Sequence, residues 1–309
     1  MERPNLIIVG AQKAASTSLQ TALSLHPDVY LAPGEEPALE DPDFGEGAFT
    51  RLRGNLELHS ETVVGIKRPS YLAKPEVPPR IATFLPQAHL LAVLRNPYDR
   101  LVSAYFHYVA TGFLPPLKFQ EGINRLLTDE NFRLRWPRSS EVLEFGRYWT
   151  HLQRYGDAGL LPRLLVLRTE EVAGAWETTA ARVAMHLEID PDPLISRAFP
   201  RENARPHSVS RSGAEGLISR LGYRYSPDGM RLYFPESGWK TLHKRAALRF
   251  GSAGIRRIPA SWWGQPNRDS WASLPDSTKR RVADLYEPEI AGLSRNLDPA
   301  FAHWSAEQQ

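Results

Sequence analysis

The run Gly10-Ala11-Gln12-Lys13-Ala14-Ala15-Ser16-Thr17-Ser18 joins one cation, three alanines and three consecutive hydroxyls. That combination suits a bound phosphate. Ala14 and Ala15 let the backbone approach an anion closely, Ser16, Thr17 and Ser18 supply hydroxyl donors, and Lys13 adds a point charge. A helix starting here would add its outward N–H groups and the positive end of its dipole. The spacing departs from the nucleoside-triphosphate loop G-x-x-x-x-G-K-[ST]. Ala15 stands where the second glycine belongs, Ser16 occupies the lysine position, and the lysine has moved to the front of the loop. The plain alternative is an ordinary strand-to-helix turn with a hydroxyl cap.

Arginine outnumbers lysine 31 to 7, so each lysine is informative. Lys13 and Lys67 both fall just after expected strands, where α/β proteins place their ligands. The run Arg95-Asn96-Pro97-Tyr98-Asp99-Arg100 follows another apolar segment, with Asn96 and Pro97 suited to open a helix. Asp99 and Arg100 read as a surface pair or as partners of the helix dipole. The nine histidines show no metal spacing, and His107 and His151 sit in helical patterns as fillers. With no cysteine, disulfides, thiolate metal sites and cysteine nucleophiles are excluded.

These groups need a scaffold, and the hydrophobic pattern describes one. Leu6–Val9, residues 29–31, Val63–Ile66, His89–Leu94 and Leu164–Leu167 are short apolar runs of the kind buried on both faces of a parallel sheet. Thr17–Leu25 reads as a helix with Leu19, Ala22, Leu23 and Leu25 on its apolar face, and residues 274–297 return to a helical pattern. Glu170-Glu171 reads as an acidic turn. Strands alternating with helices predict an α/β fold, a P-loop-like parallel sheet with helices on both faces. Residues 205–270 carry SVSRSG, SPDG and PESG turns and a basic aromatic stretch from Trp239 to Trp263. They are expected to form a helical or irregular lid within a single domain over 1–309. The length of 309 residues and the 42% hydrophobic content suit that size of core.

A net charge of +3 without a dense basic run argues against nucleic acid as the partner. The N-terminal apolar run is too short for a signal peptide, and no stretch reaches the roughly 20 apolar residues of a membrane span. A cytoplasmic location and no stable membrane insertion are therefore expected.

Taken together, the motifs resemble those of sulfotransferases that use 3′-phosphoadenosine 5′-phosphosulfate (PAPS). Their donor loop is near Q-K-[AG]-[AG]-T-[ST]-[AST]-L, and a second segment reads R-[ND]-P-x-[DE]-R-x-x-S-x-[YW], matched here by Arg95 through Ser103 and Tyr105. FGRYWTHLQRYGDAGLLPRLLVLRTEEV and LYEPEIAGLSRNLDPAFAHW extend the likeness, which is nearest the heparan sulfate branch and its bacterial relatives. The resemblance implies that Gln12 through Ser18 hold the 5′-phosphosulfate and that Lys13 steadies the leaving phosphate. It implies that Arg95 and Ser103 hold the 3′-phosphate, where a guanidinium at a strand end can make a two-pronged contact.

For the acceptor proton, the cytosolic enzymes place a histidine after the second main strand, but this chain has Lys67-Arg68-Pro69-Ser70-Tyr71 there. The heparan sulfate branch uses a glutamate instead, and PGEEPALED nominates Glu36 as general base with Glu35 in reserve. A carboxylate serves so when burial lifts its pKa toward working pH. The alternative is a solvated acidic loop of Glu35, Glu36 and Glu40. Lys67 would stabilise charge in the transition state, and Arg211, in NARPHSVSRS, would be a further nucleotide contact. The implied reaction turns PAPS into adenosine 3′,5′-bisphosphate (PAP) without a metal, on a hydroxyl of a small-molecule, natural-product or carbohydrate acceptor. The rival readings are a small-molecule kinase with a variant P-loop and a non-catalytic nucleotide or membrane-surface binder using residues 239–263.

Overall fold

The computed structural model describes residues 4–56, 61–200, 208–233 and 270–306, with isolated positions between 244 and 258. Along the chain run β1 (Leu6–Gly10), α1 (Ser16–Leu23), β2 (Val29–Leu31), α2 (Glu46–Leu56), β3 (Val63–Lys67), α3 (Val77–Phe84), β4 (His89–Leu94) and α4 (Pro97–Ala110). Then come α5 (Phe119–Thr128), α6 (Glu130–Arg135), α7 (Glu141–Glu144), α8 (Tyr148–Asp157), β5 (Leu164–Arg168), α9 (Thr169–Gly174), α10 (Trp176–Leu187) and α11 (Asp192–Ile195). The described remainder holds α12 (Val209–Gly222), β6 (Arg224–Tyr225), β7 (Leu232–Tyr233) and α13 (Asp276–Asn296). The basic aromatic stretch from Trp239 to Trp263 lies outside the described residues, apart from those isolated positions. Among the described residues no helix is long and apolar enough to cross a membrane.

The chain divides into two compact units. The first comprises Met1–Asn96, Arg147–Ala204 and Arg295–Asp298. Its centre is a five-stranded sheet in the order β2-β3-β1-β4-β5, parallel throughout. Leu6 and Ile8 of β1 and Leu91 and Val93 of β4 share a core with Leu19 and Leu23 of α1 and Val183 and Leu187 of α10. Each such buried aliphatic side chain contributes about 1.5–3 kcal/mol. On the opposite face, Ile7 is in register with Ile66 and Leu90, and all three are fully buried. The turn Tyr71–Ala73 packs on β1 there, with α8 against that turn. Burial on both faces is why these strands read as continuous apolar runs rather than alternating ones. At Gly65 in β3, a Cβ would sit 2.8 Å from Leu31 and 2.9 Å from Leu6. A side chain there would force β3 away from β2 and β1.

Several boundaries differ from the sequence expectation. The helix expected over Thr17–Leu25 runs Ser16–Leu23, and Leu25, expected on its apolar face, is 44% exposed. Pro27 disfavours helical backbone just before it, so the helix ends early. The expected acidic turn at Glu170-Glu171 is instead the first turn of α9, where Glu171 accepts the Arg168 backbone N–H at 2.8 Å and caps the helix start. Lys67 closes β3 rather than following it.

The second unit comprises Pro97–Gly146, Arg205–Ser294 and Pro299–Gln309. Here α4 starts at Pro97 as expected and packs along α12. The approach is close: a Cβ on Gly216 would lie 2.2 Å from the Val109 carbonyl oxygen. The end of α4 and its following turn are capped from the α12 side. Ser219 Oγ donates to Ala110 O at 2.9 Å, Arg220 to Gly112 O at 3.0 Å, and Tyr225 Oη to Thr111 O at 2.6 Å. Arg100 is not a surface residue. It is fully buried, and its Nη2 donates to the Glu141 and Val142 carbonyl oxygens of α7. A guanidinium with carbonyl partners can be buried where an unpaired one could not. Asp99 is exposed in the first turn of α4, consistent with the helix dipole.

Candidate active site

In an open parallel sheet, ligands bind beyond the carboxyl ends of the strands where the strand order reverses. In the first unit that point is the end of β1, flanked by β3 on one side and β4 on the other. The loop after β1 is drawn tight there. Ala11 N–H bonds to Val93 O at 2.7 Å, Ala14 N–H returns to Ala11 O, and Lys13 and Ala15 adopt left-handed backbone at φ 68° and 66°. Non-glycine residues in that region carry strain and cluster at functional sites. The ladder of α1 opens with Leu19 N–H to Ala15 O, and Ala15, as cap residue, provides no side-chain bond. Ser16 and Ser18 are buried, while Gln12, Lys13, Ala15 and Thr17 are half-buried. The result is a cradle of small residues and hydroxyls at a helix start, next to a lysine, and it fits an anionic group.

Lys67 lies at the end of the neighbouring strand, 3% exposed. Its Nζ donates to Thr17 Oγ1 at 3.0 Å, linking β3 to the loop of β1. Burial draws its pKa below the ordinary lysine value; Arg68 acts in the same sense and Glu35 against it. The Lys67 carbonyl oxygen, meanwhile, accepts the Glu36 N–H at 2.9 Å. One residue thus contacts the anion loop through its ammonium and the acidic loop through its backbone.

The three acids of that loop are not equivalent. Glu35 pairs with Arg68 at 2.9 Å. Glu40 takes both Nε and Nη2 of the same guanidinium, at 3.2 and 3.0 Å, and accepts the Ser70 hydroxyl. Burial opposes the Arg68 charge, but Glu40 and Glu35 outweigh it and raise its pKa. The Glu36 carboxylate accepts its own loop's Ala38 N–H at 2.8 Å. Glu35 and Glu40 are therefore committed to a cation, whereas Glu36 is tied to the end of β3 by its backbone N–H on Lys67 O. Gln20 of α1 ties the loop's other end, donating to Ala32 O at 2.8 Å and Gly34 O at 3.3 Å.

Arg95 follows β4 at the same end of the sheet, half-buried. Ser103 lies in the second unit, buried on α4. Arg211 opens α12 there, its Nε paired with Glu215 at 3.2 Å. Thr17 as a partner of Lys67, Gln20, and the Arg68–Glu40 clasp carry no assignment from sequence. The signal available was charge opposition: KRPSY stands at a strand's end, and three glutamates lie upstream without a basic residue among them. Among the described residues, no group of His, Cys, Asp or Glu is arranged to hold a metal ion.

A sulfotransferase domain profile matches residues 3–202, more than half of the chain. The chain belongs to the sulfotransferase domain family. Human heparan sulfate glucosamine 3-O-sulfotransferase 6 is 37% identical over 254 residues, covering 74% of this chain and 71% of that protein. The bifunctional heparan sulfate N-deacetylase/N-sulfotransferase 1 of Caenorhabditis elegans is 27% identical over 175 residues, 55% of this chain and 20% of that protein. The chain thus spans about a fifth of that relative's length. The crystal structure of a sulfotransferase from Alicyclobacillus acidocaldarius aligns with a TM-score of 0.55 and 25% identity, covering 85% of this chain and 99% of that one.

Proposed function

We propose that the protein transfers a sulfuryl group from PAPS to a hydroxyl of a small-molecule, natural-product or carbohydrate acceptor. The observation that carries this is Lys67, which bonds the anion loop at Thr17 and holds Glu36 through its own carbonyl oxygen. In this reading Glu36 takes the proton of the acceptor hydroxyl as its oxygen attacks sulfur. The bond from sulfur to the 5′-phosphate oxygen breaks in line, leaving PAP with the negative charge. Lys13 and the hydroxyls of Ser16 to Ser18 stabilise that charge, and Lys67 stabilises the sulfuryl oxygens in flight. Such transfer depends on positioning and charge stabilisation more than on covalent help. Gln12, Ala14 and Ala15 complete the loop around the 5′-phosphosulfate, and the family resemblance assigns the 3′-phosphate to Arg95 and Ser103. The human relative's name supports a carbohydrate among the acceptors to be tried.

Incubation with PAPS and a panel of hydroxyl acceptors, read by mass spectrometry, should add one sulfuryl group to at least one of them. Lys13→Ala and Arg95→Ala should lose PAP binding, whereas Glu36→Gln should keep PAP binding and lose turnover by about 10²–10⁴-fold. Full turnover in Glu36→Gln would remove Glu36 from the role of base.

A further inference from the structure

The acidic loop is held in place by Tyr71. Its phenol oxygen is fully buried. It donates to the Glu36 carbonyl oxygen and accepts the Leu39 N–H at 3.1 Å, so one hydroxyl grips the loop backbone on both sides of Pro37-Ala38. The ring is itself fixed: Tyr71 N–H bonds to Arg68 O at 3.0 Å, and Tyr155 Oη donates to Tyr71 O at 3.1 Å. Burial pushes the Tyr71 phenol far above the usual tyrosine value, and Glu36 and Glu40 push the same way against the Leu39 N–H and Arg68. The hydroxyl therefore keeps its proton at any working pH. The far end of the loop has anchors of its own, the Arg68 and Ser70 bonds to Glu40 and Arg80 Nη1 on Leu39 O and Asp41 O, both at 2.7 Å. Glu36 lies between those anchors and β3, with Tyr71 spanning the gap.

We propose that Tyr71 is a positioning residue for the transfer step, its hydroxyl fixing the backbone that carries the Glu36 carboxylate at the end of β3. The proposal rests on Glu36 being the general base. A side chain that merely filled the core would need the ring and not the oxygen, and Tyr71→Phe separates the two.

Tyr71→Phe should lower turnover by about 10- to 100-fold, the penalty for an active-site group displaced by about an ångström. The PAP dissociation constant should stay within about twofold of wild type, since the loop of residues 12–18 is untouched. In the Glu36→Gln background the same change should cost less than about twofold more, because groups acting as a unit are not additive. If Tyr71→Phe keeps full turnover while Glu36→Gln loses it, the positioning role is wrong and the base assignment stands. If Glu36→Gln keeps full turnover, the base assignment fails and takes this inference with it. Loss of PAP affinity in parallel with turnover, or an equal cost in both backgrounds, would make Tyr71 a structural residue only and overturn the proposal.

Discussion

Lys67 holds a charge where the fold does not favour one. Its pKa is lowered chiefly by burial, so the folded chain holds that proton less tightly than the unfolded chain does. The stability withheld at neutral pH returns as pH rises toward the ordinary lysine value. Lys67→Met should therefore raise Tm by about 2–4 °C while turnover falls by about 10²–10³-fold. Calorimetry and initial rates on one preparation would check both, and a lower Tm with unchanged turnover would contradict the role given to Lys67. Lys13 and Arg95 are nominated from residue type and spacing, because a cation at a strand end has few structural uses. Arg100 is not. An arginine in the first turns of a helix looks solvent-facing until the carbonyl oxygens of Glu141 and Val142, some forty residues on, come up to meet it. Tyr71 was read only as part of a motif, since nothing local says that its hydroxyl reaches back 35 residues to Glu36.

At the level of elements, the sheet was legible because both of its faces are buried and each strand is a short apolar run between polar loops. Helix packing was less so. The contact of α4 with α12 turns on Gly216, and Gly216→Ala should destabilise the protein by about 1–3 kcal/mol, read as a lower urea midpoint. An unchanged midpoint would mean that the helices separate easily at that crossing. A second pairing joins β4 to α10, where His89 and His186 stack edge to face at 5.2 Å. Burial lowers both pKa values; for His89, Arg163 adds to it and Glu188 opposes it, and for His186 the neighbouring His89 adds to it. Below about pH 6.5 the unfolded chain takes up protons that the folded chain resists, so these two residues make stability fall as pH drops. His186→Gln should flatten part of the slope of Tm between about pH 7 and 5. An identical slope in that variant would mean that the pair does not titrate there.

For the molecule as a whole, the donor is the most direct test, because any ligand that binds only the folded state stabilises it by mass action. PAP at a hundredfold excess over its dissociation constant should add about 2.7 kcal/mol and raise Tm, whereas ATP with Mg²⁺ should leave it nearly unchanged. Stabilisation by ATP and Mg²⁺ alone would favour a kinase. Residue types and their local order determined that a tight loop of small residues and hydroxyls follows a first buried strand, that its lysine stands at the wrong end for a triphosphate loop, and that the scaffold is a parallel α/β sheet. These are properties of short segments, set by hydrophobic period, side-chain size and charge. How the three glutamates of the acidic loop are divided was not such a property. It depends on Arg68 engaging Glu35 and Glu40 and on Tyr71 gripping the backbone around Glu36. Those contacts exist only once β3 has brought its end against the loop after β2, because hydrogen bonds and ion pairs act over a few ångströms and the sequence separates the partners by about 30 residues.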